Sequence, residues 1–173
     1  EHRPRPKPPL SARPRVFAVT DVERWKANPF DFYVKHTLRL RALRPLGGQV
    51  DAAVRGTIIH DALEAVLKAH LGPLGDAFES TVFDALFTRF QHSGLPEPQL
   101  ALWTPRLRKA AAWFASTERA LRDNGRFPAA IEDKAEYSFE VGGIQYTLRC
   151  RADRIDVTSD KKLVVVDYKS GVM

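Results

Sequence analysis

The side chains best suited to chemistry stand near the C-terminal end of the chain, where two apolar runs each contain charged residues. Asp167 and Lys169 follow the run 163–166, and Asp153 lies in the run before it. If 163–169 is a strand, Asp167 and Lys169 project to one face, because strand side chains alternate. An antiparallel neighbour would bring Asp153 close to Asp167, and two such carboxylates repel unless a cation lies between them. Their hard oxygen atoms suit Mg²⁺ or Mn²⁺.

Each of these residues also has an ordinary structural explanation. Asp167 and Lys169 could form an exposed ion pair where a strand runs out into solvent. Asp153 could pair with Arg151 or Arg154 within a charged surface strand. From the residue types alone, the metal site and the surface ion pairs both stay open.

A histidine stands within the strongest helical pattern of the chain, which covers 51–71. At 100° per residue, His60 shares a stripe with Gly56 and Glu64. Glycine inside a helix costs about 1 kcal/mol relative to alanine, so Gly56 indicates close approach of another element or a ligand. A lone helical histidine is more often a packed residue than a ligand, and Glu64 could pair with Lys68. A zinc hydrolase site on His60 and Glu64 would lack the second histidine of that motif.

The elements that must position these residues follow an α+β order, with helices first and strands after. The patterns predict short helices from Thr20 to about Pro29 and over 29–36, and longer ones over 51–71, 74–91 and 98–124. Alternation of apolar residues predicts strands over 134–141, 144–151, 152–157 and 163–169, the first two joined at Gly142-Gly143. We therefore expect an antiparallel meander that carries the acidic residues, Glu136 among them.

Charge and cysteine content exclude several classes of protein. The 173 residues carry a net charge of +6, but the Pro-rich segment 1–15 contributes +4 of it, so the remainder is nearly neutral. Net charge alone therefore does not establish nucleic-acid binding. Cys150 is the only cysteine, which excludes an intrachain disulfide and a four-cysteine metal site and is typical of a reducing cytoplasm. No apolar run approaches the roughly 20 residues of a membrane span, so we expect a cytoplasmic protein without a membrane partner.

Taken together, the candidate residues occur in an order that resembles a known family. The helical segment 56–64 contains His60, Glu136 follows in a strand, Asp153 begins the segment 153–156, and 166–171 reads Val-Asp-Tyr-Lys-Ser-Gly. This order resembles the RecB-like branch of the PD-(D/E)XK nuclease superfamily. The segments 19–25 and 28–33 resemble the start of the nuclease domain in AddB-type helicase–nuclease subunits.

The resemblance implies a role for each matched position. His60, Asp153 and Asp167 would be metal ligands, with the backbone carbonyl of Tyr168 a further one. Lys169 would orient the attacking water and help to deprotonate it, so the resemblance makes Lys169, Asp167 and Asp153 the catalytic residues. The cofactor would be Mg²⁺ or Mn²⁺, which lowers the pKa of a bound water and polarises the scissile phosphate.

The resemblance also bounds the domain. It covers 16–173 and implies a restriction-endonuclease-like core, with N-terminal helices packed on a central, mostly antiparallel sheet, preceded by a disordered linker over 1–15. Glu64 and Glu136 would lie next to the ligands and hold them in place without binding the metal themselves. Asn28 stands where the first of four cluster cysteines would precede a proline, so no iron–sulfur cluster is expected. The family continues with a helix bearing a Gln-x-x-x-Tyr motif, whereas this sequence stops at Met173, so we expect a C-terminally truncated domain.

The leading interpretation is a metal-dependent DNA exonuclease module of a double-strand-break repair helicase–nuclease, with DNA and a helicase subunit as partners. The alternative is a catalytically inactive nuclease-fold module that only binds DNA or a helicase. A chain without the C-terminal part could also be inactive or associate with itself. Phosphate contacts are predicted for Arg39, Arg41, Arg44, Arg108, Arg119, Arg122 and Arg126.

Overall fold

The computed structural model describes residues 5, 7–41, 43 and 52–169. In this part of the chain, helices precede most of the strands and the sheet is mixed, which confirms the predicted α+β class. The chain forms two compact units. The first unit is Glu1–Pro45 with Lys134–Arg151, and the second unit is Leu46–Asp133 with Ala152–Met173.

The first unit begins with a short 3₁₀ turn, a strand and two helices: Leu10–Ala12, β1 (Val16–Ala18), α1 (Val19–Ala27) and α2 (Pro29–His36). Helix α1 begins at Val19, one residue before its predicted start at Thr20, and the side chain of Thr20 does not cap it. Instead the backbone N–H of Ala18 donates to the carboxylate of Asp21 at 3.2 Å. Helix α2 has its predicted bounds, and the side chain of Asn28 caps it by accepting the N–H of Phe30 at 3.2 Å.

Asp21 ties the two short helices together. Its carboxylate is buried, and the Nζ of Lys35 donates to it at 2.6 Å while His36 Nε2 lies 3.0 Å away. Burial acts to raise the pKa of this carboxyl group, but the hydrogen bonds from Lys35 and from the N–H of Ala18 outweigh it and lower the pKa. The charged form of Asp21 is therefore part of the folded first unit.

The second unit is built on three longer helices, α3 (Ala52–Ala69), α4 (Phe78–Gln91) and α5 (Glu97–Asp123). They form one hydrophobic core that includes Leu63, Leu67, Phe78, Val82, Leu86, Phe90, Leu107 and Phe114. Helix α5 continues through Pro105. It is followed by Gly125, which has φ +73° as expected after a helix C-terminus, and a Cβ there would lie 3.1 Å from the Cβ of Ser159. Four of the five predicted helices, α1, α2, α3 and α5, start within two residues of prediction, and α4 starts four residues later than predicted.

The strands of the sheet are β1, β2 (Phe127–Val141), β3 (Ile144–Val157) and β4 (Leu163–Val166). The predicted hairpin at Gly142-Gly143 is confirmed, but both of its strands are longer than predicted, and no break separates 144–151 from 152–157. Strand β4 pairs antiparallel with β3, with Val165 opposite Ile155. Strand β1, which the sequence patterns did not predict, pairs parallel with β3. The sheet is therefore mixed and is not a pure antiparallel meander.

Strand β4 ends at Val166, before the predicted end at Lys169. The backbone N–H of Tyr168 leaves the ladder and donates to the carboxylate of Asp153 at 2.8 Å. Asp167 and Lys169 therefore follow the strand instead of alternating along it, and the predicted strand position of these two residues is wrong.

Within the described part of the chain, no helix combines the length and the apolar character that crossing a bilayer requires.

Candidate metal centre

Three side chains with metal-ligand atoms meet in the second unit. His60 comes from α3, Glu132 from β2 and Asp153 from β3, and one ligand atom of each lies within 4.8 Å of the other two. All three side chains are half-buried. Helix α3 and the hairpin strands therefore bring together one imidazole and two carboxylates, from positions far apart in the sequence.

Both ring nitrogens of His60 face polar partners of this site. Its Nδ1 lies 3.5 Å from Oδ2 of Asp153, and its Nε2 lies at hydrogen-bond distance, 2.8 Å, from the carbonyl oxygen of Tyr168. The nearby residues Ala62 and Leu63 of the same helix belong to the hydrophobic core. His60 therefore lies beside Asp153 of β3 and the residues that follow β4, as the sequence predicted for a ligand.

Tyr168 contacts the site with both polar atoms of its backbone. Its N–H donates to Oδ2 of Asp153 at 2.8 Å, and its carbonyl faces His60. Its ring packs edge-on against His60 and against Phe114, with centroid distances of 6.1 Å in each case. The carbonyl predicted as a ligand therefore lies beside His60, and the N–H of the same residue lies beside Asp153.

A buried ion network holds the other end of Tyr168. Arg154, which is 1% exposed, donates to the hydroxyl of Tyr168 at 3.2 Å and forms ion pairs with Glu118 and Asp156. Burial alone would lower the pKa of Arg154, but the hydrogen bonds to the two carboxylates raise it well above its usual value. Burial raises the pKa of the Tyr168 phenol. The network is therefore a cation held by fixed anions, with a neutral phenol at its edge.

Glu132 is the candidate ligand that sequence reasoning missed. It lies inside β2 with φ +56°, a left-handed conformation that is uncommon for a residue other than glycine. Neither strand alternation nor helix periodicity signals such a conformation, because both assume regular backbone. Strained backbone at a cluster of ligand atoms is an observation that points to function.

Glu136 and Glu64, predicted to support the ligands, are paired with nearby cations. Glu136 lies in the first unit, where Oε1 is 2.8 Å from Nε of Arg149 and both side chains are more than half exposed. Glu64 accepts from Nζ of Lys68 at 2.6 Å, one turn along α3. The pairing of Glu64 with Lys68 is the ordinary alternative that the sequence left open.

Asp167 and Lys169 form an ion pair of their own. Nζ of Lys169 lies 2.5 Å from Oδ2 of Asp167, and these side chains are 82% and 56% exposed, respectively. Asp167 is not among the mutually close ligand atoms of the described residues. The structure therefore brings together His60, Asp153 and the backbone of Tyr168 from the predicted set, and leaves the carboxylate of Asp167 outside that cluster.

The arginines predicted to contact DNA differ in their surroundings. Arg122 is buried and donates to the carbonyl groups of Gly72 and His70, so its prediction as a phosphate contact is wrong. Arg119 donates to the carbonyl of Asp76 at 3.2 Å, and Arg126 donates to Asp156 at 2.6 Å.

The remaining predicted arginines have different positions. Arg108 is exposed and lies over the ring of Phe83, 4.9 Å from its centroid. Arg39 and Arg41 are exposed in the first unit, and Arg44 lies outside the described residues. Of the predicted arginines on α5, Arg119 and Arg122 therefore fasten the helix to the segment 70–76, while Arg108 stays exposed.

The donor set of the cluster fits a hard divalent cation. Two carboxylates supply negative charge, and an imidazole and a backbone carbonyl supply neutral donors. Mg²⁺ prefers such oxygen ligands together with water, and Mn²⁺ also accepts imidazole. The residues present are therefore able to hold Mg²⁺ or Mn²⁺.

Comparison with known proteins gives one family match and several relatives. The profile of the PD-(D/E)XK nuclease superfamily matches residues 16–172. Three uncharacterized proteins are similar to this chain. The one from Rickettsia bellii is 25% identical to it over 161 residues, the one from Rickettsia felis 26% over 164 residues, and the one from Rickettsia conorii 24% over 164 residues. Each match covers 92% of this chain but only 19–20% of the relative, so the chain spans about a fifth of the length of these curated relatives.

Proposed function

Because the chain belongs to the PD-(D/E)XK nuclease superfamily, we propose that it hydrolyses phosphodiester bonds of DNA with Mg²⁺ or Mn²⁺ held by His60, Glu132 and Asp153. The observation that carries this proposal is the meeting of those three side chains within 4.8 Å. When bound, such an ion polarises the scissile phosphate and makes a nearby water more acidic. Binding, orientation and charge compensation are the tasks of the protein's own residues.

The second unit orients the ligands before an ion binds. The N–H of Tyr168 fixes one carboxylate oxygen of Asp153, and the carbonyl of Tyr168 faces the imidazole of His60. Groups that are already oriented need little rearrangement when charge develops in the reaction, which is how preorganised sites stabilise a transition state. The carbonyl of Tyr168 would add a further oxygen donor to the three side chains.

Lys169 supplies mobile positive charge in the proposed reaction. Its ammonium group pairs with Asp167 at the surface, where both side chains are largely exposed and such a pair is worth little. A DNA phosphate would therefore compete readily with Asp167 for Lys169. Lys169 would then orient the attacking water and offset the charge that develops on the phosphate, and Asp167 would become available as a further ligand.

The same ion pair favours a second candidate function. With Asp167 outside the ligand cluster and Lys169 paired to it, the chain could bind DNA through a nuclease fold without cleaving it. Calorimetric titration with Mn²⁺ separates the two functions. Mn²⁺ binding that is lost in Asp153→Asn supports the nuclease, whereas DNA binding by a chain that binds no Mn²⁺ supports the binding module.

A cleavage assay on linear DNA with Mn²⁺ or Mg²⁺ tests the proposed activity. Asp153→Asn and Glu132→Gln each remove one ligand charge with little change in size, and we expect each to lower the cleavage rate by at least about 100-fold. Glu136→Gln is the matched control, because it removes an exposed carboxylate paired with Arg149 from the same strand as Glu132. Cleavage that survives Asp153→Asn unchanged would contradict the proposal.

We further propose that this nuclease is a cytoplasmic module of an AddB-type helicase–nuclease that processes double-strand breaks. The resemblance of 19–25 and 28–33 to the start of such domains supports this assignment. A tagged copy expressed in its own cells should copurify with an ATP-dependent helicase subunit. Recovery of the tagged protein without any helicase after crosslinking would contradict this assignment.

A further inference from the structure

A second site of distinctive chemistry lies in the first unit, which does not contain the metal ligands. It is a cavity of about 800 Å³, within the range of roughly 300–1,000 Å³ that is usual for ligand sites. Helices α1 and α2 and the tip of the hairpin line it with aromatic rings, namely Trp25, Phe30, Phe32, Tyr33, Phe139 and Tyr146.

These aromatic rings line an open surface and do not close a core. Trp25 is 50% exposed and Phe30 is 48% exposed. Among the described residues of this unit, Phe17 is the only hydrophobic residue that is buried, at 9% exposed. Exposed apolar surface of this kind is rare without a binding role, because it costs free energy in water.

The rings are also arranged as flat platforms. Trp25 stacks on Phe32 with a centroid distance of 5.4 Å and an interplanar angle of 24°. On the hairpin side, Phe139 stacks on Tyr146 with a centroid distance of 5.8 Å and an angle of 24°. A ring that is supported from behind and open in front is suited to stack on another flat ring system.

The charged residues around this cavity all have the same sign. Arg5, Lys7 and Arg13 line it, and no acidic side chain of the described residues does. The N-terminal segment holds these cations beside the rings, and Nε of Arg13 donates to the carbonyl of Pro8 at 3.1 Å. The cavity therefore offers flat apolar faces together with uncompensated positive charge.

We propose that this cavity binds single-stranded nucleic acid, with unpaired bases stacked on the rings and phosphates facing Arg5, Lys7 and Arg13. Single strands present flat bases and a regular row of negative charges, which are the two features that the cavity complements. A duplex hides the faces of its bases, and an uncharged apolar peptide would leave the three cations without partners. The inference goes beyond the proposed hydrolysis, because this binding requires neither metal nor bond cleavage.

Fluorescence titration with a short oligothymidine in EDTA tests this inference. The chain has three tryptophans, so Trp103→Phe and Trp113→Phe together leave Trp25 as the only reporter. We expect oligothymidine to quench Trp25 and to bind more weakly as salt is raised. Trp25→Leu, measured by anisotropy of a labelled oligothymidine, should weaken binding by about 5- to 100-fold, as loss of one base stack does.

Two further variants distinguish a specific loss of oligothymidine binding from a folding defect. Trp113→Leu is the matched control, because Trp113 is 62% exposed on α5 and does not line the cavity. It should leave binding unchanged. Lys7→Ala combined with Arg13→Gln leaves the rings in place and should flatten the salt dependence of binding.

Several outcomes would overturn the inference. One is that Trp25→Leu binds oligothymidine as tightly as the parent chain, and another is that Trp113→Leu loses as much affinity as Trp25→Leu. The others are that blunt duplex DNA competes as well as oligothymidine, or that a proline-rich peptide quenches Trp25 and oligothymidine does not. Because EDTA removes metals, a chain that binds oligothymidine yet never cleaves DNA would leave this inference standing and contradict only the proposed nuclease.

Discussion

At the scale of single residues, Tyr168 joins the candidate metal site to the protein interior. Its N–H and carbonyl face Asp153 and His60, while its hydroxyl accepts from Arg154 inside the buried ion network. Because Arg154 holds the phenol, the backbone N–H and carbonyl of Tyr168 have little freedom to reorient. Removing a group that hydrogen-bonds to a metal ligand commonly changes the metal affinity by about 10- to 100-fold.

We therefore predict that Tyr168→Phe weakens Mn²⁺ binding about 10-fold in calorimetry. The phenylalanine ring keeps the packing against Phe114, so the free energy of unfolding should fall by only about 1 kcal/mol, the usual value of one hydrogen bond. Tyr137→Phe is the control, because this tyrosine is 67% exposed in the other unit. An unchanged Mn²⁺ affinity in Tyr168→Phe would show that the hydroxyl does not position the site.

At the scale of elements, Asp21 illustrates how one side chain can define a helix start. It accepts the N–H of Ala18 in front of α1 and the ammonium group of Lys35 on α2. Its pKa in the folded protein is lower than its ordinary value. The stabilisation by Asp21 is therefore complete above the ordinary aspartate pKa of about 3.9 and is lost as the pH falls through the lower folded-state value.

We predict that Asp21→Asn lowers the free energy of unfolding by roughly 1–3 kcal/mol at neutral pH, because Lys35 and the N–H of Ala18 lose an ionised partner. Urea unfolding at a series of pH values should show this difference shrinking in acid, where Asp21 itself becomes protonated. Asp31→Asn is the comparison, since Asp31 is exposed in the first turn of α2 and should cost less than about 1 kcal/mol. A difference that persists unchanged at low pH would contradict the ionic explanation.

Most elements were predictable because their patterns are local. The apolar periodicity of α3 to α5, the proline at the start of α2 and the paired glycines of the hairpin each predict an element correctly. Strand β1 was missed because three residues carry too little periodicity, and its pairing with β3 is long-range. The end of β4 was misplaced because a side chain, Asp153, takes the N–H that the ladder would have used.

The site was predictable only where motif order and backbone regularity agree. His60 and Asp153 sit on a regular helix and a regular strand, and the structure places them 3.5 Å apart. Glu132 has left-handed backbone that no periodic pattern contains. Arg122 was misread because helical spacing shows that residues share a face but not whether that face meets solvent or, as here, buried carbonyl groups.

At the scale of the whole molecule, the two compact units carry different candidate sites. The candidate metal ligands belong to the second unit, and the aromatic cavity with its cations belongs to the first. Each unit therefore has a ligand of its own under our proposals, Mn²⁺ or Mg²⁺ for one and single-stranded nucleic acid for the other.

Hydrogen exchange should separate these two ligands along the chain. We predict that Mn²⁺ slows exchange in α3 and around Asp153 and Tyr168, because a bound ion suppresses opening of the segments that hold it. Oligothymidine in EDTA should instead slow exchange in α1, α2 and the hairpin tip. Mass spectrometry of peptic fragments measures both patterns, and protection by Mn²⁺ confined to the first unit would contradict the assignment of the metal site.

The left-handed backbone of Glu132 has a consequence for how the protein could be altered. An L-residue in this conformation costs about 1–2 kcal/mol, a penalty that glycine escapes. Glu132→Gly should therefore unfold at a temperature equal to or above that of the parent chain in EDTA, and below it in saturating Mn²⁺. If thermal melts show this reversed order of melting temperatures, Glu132 lowers the stability of the metal-free chain and raises that of the metal-bound chain. Selection for a more heat-resistant chain without metal would then favour loss of this side chain.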